Sequence, residues 1–221
     1  MTSAANEKKR VGVLISGRGS NLHALIEASR HEPDYPAEIV LVASNNPDAP
    51  GLRKAADSGI PTLALDHRTF DSREAFDEAL DRNLKKAELD ILCNAGFMRL
   101  HTEAFVKSWW NRHLNIHPSL LPAFKGLHTH ERVIEAGMTV SGCTVHAVRF
   151  EMDSGPIVDQ AVVPVLNNDT PDTLAARVLD AEHLLYPHAL KLVASGAVTV
   201  EDDQIIVNHS EQIESAPYDR A

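Results

Sequence analysis

The chain has 221 residues, of which 43% are hydrophobic and 24% are charged, and its formal net charge is −10. These values are typical of a soluble globular protein with a core large enough to need no disulfide bonds, and the negative charge argues against a nucleic-acid surface. No apolar run is long enough to cross a membrane, and no signal peptide is evident at the N-terminus. Cys93 and Cys143 lie in apolar runs, which predicts buried free thiols and a cytoplasmic protein.

The first half of the chain alternates apolar runs with helical patterns. Residues 10–16 form a continuous apolar run, which predicts a strand buried on both faces, and a glycine loop and a helix follow it. The later predicted elements are strand 38–44, helix 51–58, strand 62–65, helix 72–86, strand 89–95, helix 102–110 and strand 113–117. This alternation predicts a mostly parallel sheet with right-handed crossovers.

The second half predicts a mixed portion of the sheet and a long helix. After a short helix near 130–136, strands are predicted at 139–148 and 157–165, and two more near residues 198 and 205. A helix starts at 169–172 and extends to about residue 195, with Pro187 as a candidate break point. The whole pattern predicts one α/β domain over residues 1–221, with its core at about 10–208 and polar tails at both ends.

The loop Gly17-Arg18-Gly19-Ser20-Asn21 joins the first strand to the first helix. Such a loop offers backbone N–H groups and a helix N-terminus to an anion. Ser20 or Asn21 can cap the helix or turn its side chain to a ligand. The loop lacks both the Walker motif and the third glycine of the dinucleotide fingerprint, so a single phosphate is the better candidate. The alternative is a tight turn with no ligand.

A polar pair marks the end of the strand at 113–117. Asn115 and His117 alternate with Leu114 and Ile116, so the amide and the imidazole share a face, and Pro118 ends the strand. Open α/β sheets bind ligands at the carboxyl ends of their strands. An amide beside an imidazole suits a reaction in which a carbonyl oxygen gains charge and a proton moves. The alternative is a polar strand end with satisfied side chains.

The sequence gives weaker evidence of a functional role for four other polar residues. Glu182 lies on the apolar stripe of the long helix and needs a partner there, unless it reaches water at the edge of the stripe. Asp153 is an ordinary turn carboxylate by its spacing to the next glycine. His128 and His130 are close together, but no cysteine or carboxylate cluster accompanies them, so no metal site is expected.

Five segments resemble the folate-dependent formyltransferases and occur in the same order. They are ISGRGSN at 15–21, AGFMR at 95–99, NIHPSLLP at 115–122, GLH at 126–128 and MDSGP at 152–156. The resemblance covers about residues 10–208 and implies a Rossmann-like formyltransferase fold. Within the family, the pattern is similar to members that transfer a formyl group from 10-formyltetrahydrofolate to the amine of glycinamide ribonucleotide in purine synthesis.

The resemblance also implies roles for individual residues. The catalytic positions would be Asn115, His117 and Asp153, with Asp153 orienting the imidazole and favouring its protonated form. The ribonucleotide would meet Gly19, Ser20, Asn21, Leu179, Asp180, Ala181 and Glu182. The formyl-folate would meet Arg73, Met98, Arg99, Leu100, His101, Asn115, Arg149, Phe150, Glu151, Met152 and Asp153. The folate would be a co-substrate, without a metal, and the chain a monomer or homodimer with no nucleic-acid or membrane partner.

Three other functions remain open at this point. Methionyl-tRNA formyltransferase shares the folate site, but it needs a further C-terminal RNA-binding domain and a basic surface, and this chain is short and acidic. Formyltetrahydrofolate deformylase hydrolyses the same co-substrate and carries an N-terminal regulatory domain, whereas the first strand here begins at Arg10. A non-catalytic nucleotide- or folate-binding protein would not need Asn115, His117 and Asp153 together. Folate release with and without the ribonucleotide distinguishes these functions.

Overall fold

Most strands belong to one sheet in the computed structural model, which describes residues 7–208. They are β1 (Lys9–Ile15), β2 (Ala37–Ser44), β3 (Thr62–Ala64), β4 (Ile91–Asn94), β5 (His113–His117), β6 (Val140–Ala147) and β7 (Ile157–Pro164). Their order across the sheet is β3-β2-β1-β4-β5-β6-β7. Strands β1 to β5 pair in parallel, while β6 and β7 are antiparallel to their neighbours, which confirms the predicted sheet with a mixed C-terminal portion. Most of both predicted polar tails lies outside the described residues.

Helices cover both faces of this sheet. They are α1 (Ser20–His31), α2 (Pro50–Asp57), α3 (Arg73–Lys86), α4 (Glu103–Ser108), α5 (Thr129–Glu135) and α6 (Pro171–Ser195). A separate hairpin of β8 (Val198–Glu201) and β9 (Gln204–Val207) follows α6. Within residues 7–208, no helix has the length and apolar character to cross a membrane. Both cysteines are buried and free, as the sequence predicts.

The two faces of the sheet are covered unequally. Val13 belongs to a core cluster that includes residues of α1, α2, α5 and α6, and the next residue, Leu14, belongs to a second cluster with α3 and α4. Successive residues of a strand point to opposite faces, so the clusters lie on opposite sides. Leu114 and Ile116 of β5 belong to the first cluster, and the buried members of the second include no residue of β5, β6 or β7. Asn115 and His117 of β5 therefore face the side of α3 and α4, and the buried cluster on that side does not extend to this strand.

The long helix α6 differs from its prediction at Pro187. The helix is continuous for 25 residues with Pro187 inside it, although proline removes one intrahelical hydrogen bond. Leu185, Tyr186, Ala189 and Leu190 around the proline are fully buried in the first cluster. Burial of several apolar side chains outweighs the loss of one bond, so the helix does not break there.

Candidate active site

Antiparallel pairing brings the polar residues of two strands together. Asn115 is directly opposite His146 across β5 and β6, and His117 is opposite Thr144. Directly opposite residues on one face of an antiparallel pair are side-chain neighbours. His146 was not among the predicted site residues, although it alternates with Thr144, so both lie on one face of the predicted strand. The missing information was which strand β6 would pair with.

The contact with His146 orients the amide of Asn115. The His146 Nδ1–H donates to the Ala147 carbonyl oxygen at 3.1 Å, so Nε2 is left as an acceptor. Asn115 Nδ2 lies 3.1 Å from that nitrogen and donates one of its two N–H groups to it. Burial lowers the pKa of His146, which keeps its imidazole neutral and able to accept. Asn115 therefore retains one N–H in a fixed orientation for a ligand.

His117 lies between a carboxylate and a backbone carbonyl. Its Nδ1 is 3.4 Å from Asp153 Oδ2, and both side chains are almost fully buried. On the other side of the ring, Nε2–H donates to the carbonyl oxygen of Phe124 at 3.1 Å. His146 Nε2 is 3.7 Å from the second oxygen of Asp153. Asn115 and His117 of β5 thus meet Asp153, which lies far along the chain from them, around one small volume.

The turn that follows β5 is held by a polar network. Thr144 Oγ1 donates to the Ser119 carbonyl oxygen at 2.7 Å and accepts from the Leu121 backbone N–H at 3.1 Å. The Ser119 hydroxyl donates to the Ala123 carbonyl oxygen at 2.7 Å, and Gln160 Nε2 donates to that of Leu121 at 2.9 Å. Because these groups bond to one another, the turn that precedes Phe124 has a defined path over the site.

The loop of Asp153 combines an unusual backbone with a tight approach to β6. Asp153 has a φ of 51°, a left-handed conformation that aspartate adopts more readily than most residues. Its Oδ2 accepts from the Gly126 backbone N–H at 2.8 Å, which joins the turn after β5 to this loop. At Gly155, a Cβ atom would lie 1.8 Å from the Ala147 carbonyl oxygen. The loop can come this close to β6 only with glycine there.

We expect Gly155→Ala to destabilise the protein by about 1–3 kcal/mol, because the added methyl group forces the loop away from β6. Gly17→Ala is the matched control, since a Cβ atom at Gly17 has nothing within 4 Å and its φ lies outside the left-handed range. The measurement is urea denaturation of both variants. Equal stability of the two would contradict this account of the loop.

The glycine loop forms the N-terminus of α1. Gly19 has a φ of 67° and is the N-cap of α1, and a Cβ atom there would lie 3.0 Å from the Gly51 Cα atom. Neither Ser20 nor Asn21 is therefore the cap of the helix, and the alternative that one of them turns its side chain to a ligand stays a prediction. The first backbone N–H groups of a helix have no intrahelical partner, so those of Ser20 and Asn21 are available to an anion.

A buried carboxyl group lies next to this loop. Asn21 Nδ2 donates to Glu182 Oε2 at 2.7 Å, so Glu182 does not reach water at the edge of the helix stripe. Burial raises the pKa of Glu182 to about 7, and the Asn21 hydrogen bond opposes that rise only in part. The Asn21 Oδ1 atom is buried and lacks a hydrogen-bond partner among the described residues. A buried acceptor atom without a partner favours a ligand that donates a hydrogen bond to it.

The run from Met98 to His101 alternates between surface and core. Met98 is 69% exposed and Leu100 is 57% exposed, which leaves two apolar side chains facing outward. Arg99 lies over the Phe76 ring at 5.1 Å, and His101 is buried. Arg73 is the first residue of α3 and is partly exposed. A ligand could contact Met98, Leu100 and Arg73 through side chains, whereas His101 offers it only backbone groups.

The side chain of Arg149 is occupied by other contacts. Its guanidinium lies over the Trp110 ring at 3.8 Å and donates to Asp203 Oδ1 at 2.6 Å and Asn111 Oδ1 at 2.8 Å. The side chain is therefore engaged by protein groups, and the assignment of Arg149 to the folate by the sequence resemblance stays a prediction. Phe150 and Met152 are exposed, and Glu151 lines an open cavity of about 570 Å³ on the Arg149 side of the loop.

Two further expectations concern His128 and His130 and the residues of α6 that precede Glu182. His128 is exposed and 3.5 Å from Glu131, and His130 is half-buried. Among the residues that the structure describes, no group of three or more histidine, cysteine, aspartate or glutamate side chains could hold a metal ion. Leu179, Asp180 and Ala181 lie on α6 before Glu182, where Asp180 is exposed and the other two are half-buried.

Comparisons with known proteins point to one family. The family described as formyl transferase matches residues 9–190. The trifunctional purine biosynthetic protein adenosine-3 of Bos taurus is 51% identical over 91% of this chain, which spans 20% of that protein's length. The phosphoribosylglycinamide formyltransferase of Escherichia coli strain K12 is 43% identical over 86% of this chain and 90% of its own length.

Solved structures agree with these relatives. The crystal structure of glycinamide ribonucleotide transformylase 1 from Symbiobacterium toebii superposes with a TM-score of 0.87 and 42% identity, and the match covers 93% of this chain and 95% of that one. Sequence and fold are thus similar over nearly the same residues. The chain belongs to the formyl transferase family.

Proposed function

We propose that the chain transfers a formyl group from 10-formyltetrahydrofolate to the amine of glycinamide ribonucleotide, which yields the formylated ribonucleotide and tetrahydrofolate. The observation that carries this proposal is the convergence of Asn115, His117 and Asp153, with one Asn115 N–H left over. The relatives named as phosphoribosylglycinamide formyltransferases support the same reaction. Binding of a nucleotide or a folate alone would not require this arrangement.

The surroundings provide for two different substrates. The free N–H groups at the start of α1 suit the single phosphate of a ribonucleotide, and Asn21 and Glu182 are close enough to each other to bind its polar groups. The exposed apolar side chains of Met98, Leu100 and Phe150 suit the flat ring system of a folate. We place the ribonucleotide on the α1 and α6 side and the formyl-folate on the side of α3.

In the proposed reaction, each of the three residues has a role of its own. Asn115 donates its remaining N–H to the formyl oxygen, which gains negative charge when the amine nitrogen attacks the formyl carbon. His117 donates to the same oxygen and passes a proton from the amine to the leaving nitrogen of the folate. The new C–N bond forms in this attack, and the bond to the folate nitrogen breaks when the oxyanion collapses, so the transfer balances without an oxidant. Asp153 keeps the His117 ring in orientation.

The hydrogen bond to Phe124 bears on this role of His117. The Nε2–H that would reach the formyl oxygen donates to the Phe124 carbonyl oxygen in the described conformation. Phe124 itself has a φ of 55°, which is unfavourable for an aromatic residue. We infer that the formyl oxygen replaces the Phe124 carbonyl as the acceptor, and that this segment shifts when substrate binds.

The test is a spectrophotometric assay of tetrahydrofolate release in the presence and absence of glycinamide ribonucleotide. Release only when the ribonucleotide is present is the expected result. Equal release without it would mean hydrolysis of the formyl-folate, and no release in either case would mean binding without chemistry. Both of these results would contradict the proposed transfer.

The remaining parts of the proposal concern the whole protein. We propose that all 221 residues form one formyltransferase domain, that it works in the cytoplasm as a monomer or homodimer, and that it has no nucleic-acid or membrane partner. The free cysteines support the cytoplasmic location, and the negative charge supports the lack of a nucleic-acid partner. Sedimentation of the purified chain measures its oligomeric state directly.

A further inference from the structure

A buried carboxylate outside the catalytic cluster holds the run from Met98 to His101. Asp77 lies on α3, and its side chain is only 4% exposed. Its Oδ2 accepts from the Thr102 backbone N–H at 2.6 Å, and its Oδ1 lies 3.5 Å from His101 Nδ1. Burial raises the pKa of Asp77, but the contacts with His101 and Thr102 lower it below its usual value. The carboxylate is therefore charged at neutral pH.

The same run is also held at its other end. The Met98 backbone N–H donates to the Ser16 hydroxyl at 2.8 Å, which ties it to the end of β1. His101 stacks between Phe97 and Phe105. Its ring centroid lies 5.0 Å from that of Phe97 and 4.1 Å from that of Phe105. The outward positions of the Met98 and Leu100 side chains therefore depend on the bond at each end.

Asp77 connects this run to a second element of the proposed folate site. Arg73 precedes Asp77 by four residues on α3, so the two side chains lie on the same face of the helix, one turn apart. The Asp77 carboxylate thus joins the helix that carries Arg73 to the run that carries Met98 and Leu100. The Asp77 side chain itself is too deeply buried to contact a ligand in solution.

We propose that Asp77 is a positioning residue for the formyl-folate, which sets the spacing between Arg73 and the run from Met98 to His101. This inference rests on the proposed function, because the folate is placed on these two elements there. Without the carboxylate, the buried Thr102 N–H would lack an acceptor and the run would shift. The effect should fall on folate affinity and leave the affinity for the ribonucleotide unchanged.

The experiment compares Asp77 with a second carboxylate on the same helix. Asp81 lies one turn further along α3 and accepts from the Ser108 hydroxyl and from Trp109 Nε1, both at 2.9 Å. It therefore joins α3 to the end of α4 that is far from Met98. Asp81→Asn is the matched control for Asp77→Asn, and Asp77→Ala removes the acceptor completely.

Calorimetric titration of the full chain with 10-formyltetrahydrofolate, and separately with glycinamide ribonucleotide, gives the readout. We expect Asp77→Ala to raise the Kd for the formyl-folate about tenfold and Asp77→Asn about threefold, because asparagine can still accept from Thr102 but cannot pair with His101. Asp81→Asn should lower the thermal midpoint without changing either Kd. If Asp77→Ala does not fold, the comparison of the two asparagine variants decides.

Three outcomes with the variants would overturn the inference. One is an unchanged formyl-folate Kd in Asp77→Asn, and another is an equal rise in Asp81→Asn. A third is a matching rise in the ribonucleotide Kd, which would indicate a general loss of structure. A wild-type chain that binds the formyl-folate but does not transfer the formyl group would overturn only the proposed function, and one that does not bind it would overturn both.

Discussion

His117→Ala should reduce turnover by about 100-fold or more, with the fold intact, and Asn115→Ala should do the same. Each change removes a donor aimed at the oxygen that becomes negative, and loss of one such donor typically costs ~3 kcal/mol of transition-state stabilisation. Asn115 contacts His146 of β6 and His117 contacts the Phe124 carbonyl oxygen, both through polar groups, and the neighbours Leu114 and Ile116 keep the strand in the core. Steady-state rates with both substrates at saturation measure the effect.

The control for this prediction is His31, a histidine outside the candidate site. His31 ends α1, is largely exposed and contacts Glu27 on the same helix, so His31→Ala should keep the wild-type rate. Circular dichroism and the thermal midpoint establish that each variant is folded. A folded His117→Ala with a rate within threefold of wild type would remove His117 from the mechanism.

The stability of the protein should fall as the pH rises through the range in which Glu182 ionises. Burial raises its pKa from the usual 4.5 to about 7, so the folded chain keeps this proton at pH values where the unfolded chain has lost it. Stability from this group is full below the unfolded pKa and is lost as pH approaches and passes the folded one. The loss between about pH 5 and about pH 8 should be about 2–3 kcal/mol.

Glu182→Gln isolates this contribution, because glutamine has nearly the same shape and does not titrate. Urea denaturation of wild type and variant at both pH values gives a double difference. The lowered pKa values of His146 and His183 also make stability depend on pH, but they are common to both proteins and cancel. An identical pH dependence in the two proteins would show that Glu182 has an ordinary carboxyl pKa.

Much of the architecture could be predicted from the sequence because local periodicity determines it. The alternation of buried strands and amphipathic helices predicts the parallel half of the sheet, and the placement of Asn115 and His117 at a strand end follows from the alternation and the proline. The buried position of Glu182 also follows from the apolar stripe of α6. Each of these features depends on residues that are close together in the chain.

Other features depend on contacts between distant segments, which one sequence does not specify. The partner of Asn115 is His146, 31 residues away, and the acceptor for His117 is a backbone carbonyl with no side-chain signal. Asp77 was unexpected because a carboxylate in a helix is normally exposed, and its contacts with Thr102 and His101, from another segment, explain its burial. The N-cap of α1 is Gly19 and neither Ser20 nor Asn21, and the Asn21 side chain bonds to Glu182 of another helix.

The contacts of Arg149 connect the candidate site to residues beyond those that the family match covers. That match ends at residue 190, yet the guanidinium that supports the loop before Asp153 is paired with Asp203, in the turn between β8 and β9. The β8–β9 hairpin thus holds the Arg149 side chain beside the loop that precedes Asp153, and we expect truncations designed from the matched region alone to loosen that loop and, with it, the contact between Asp153 and the His117 ring.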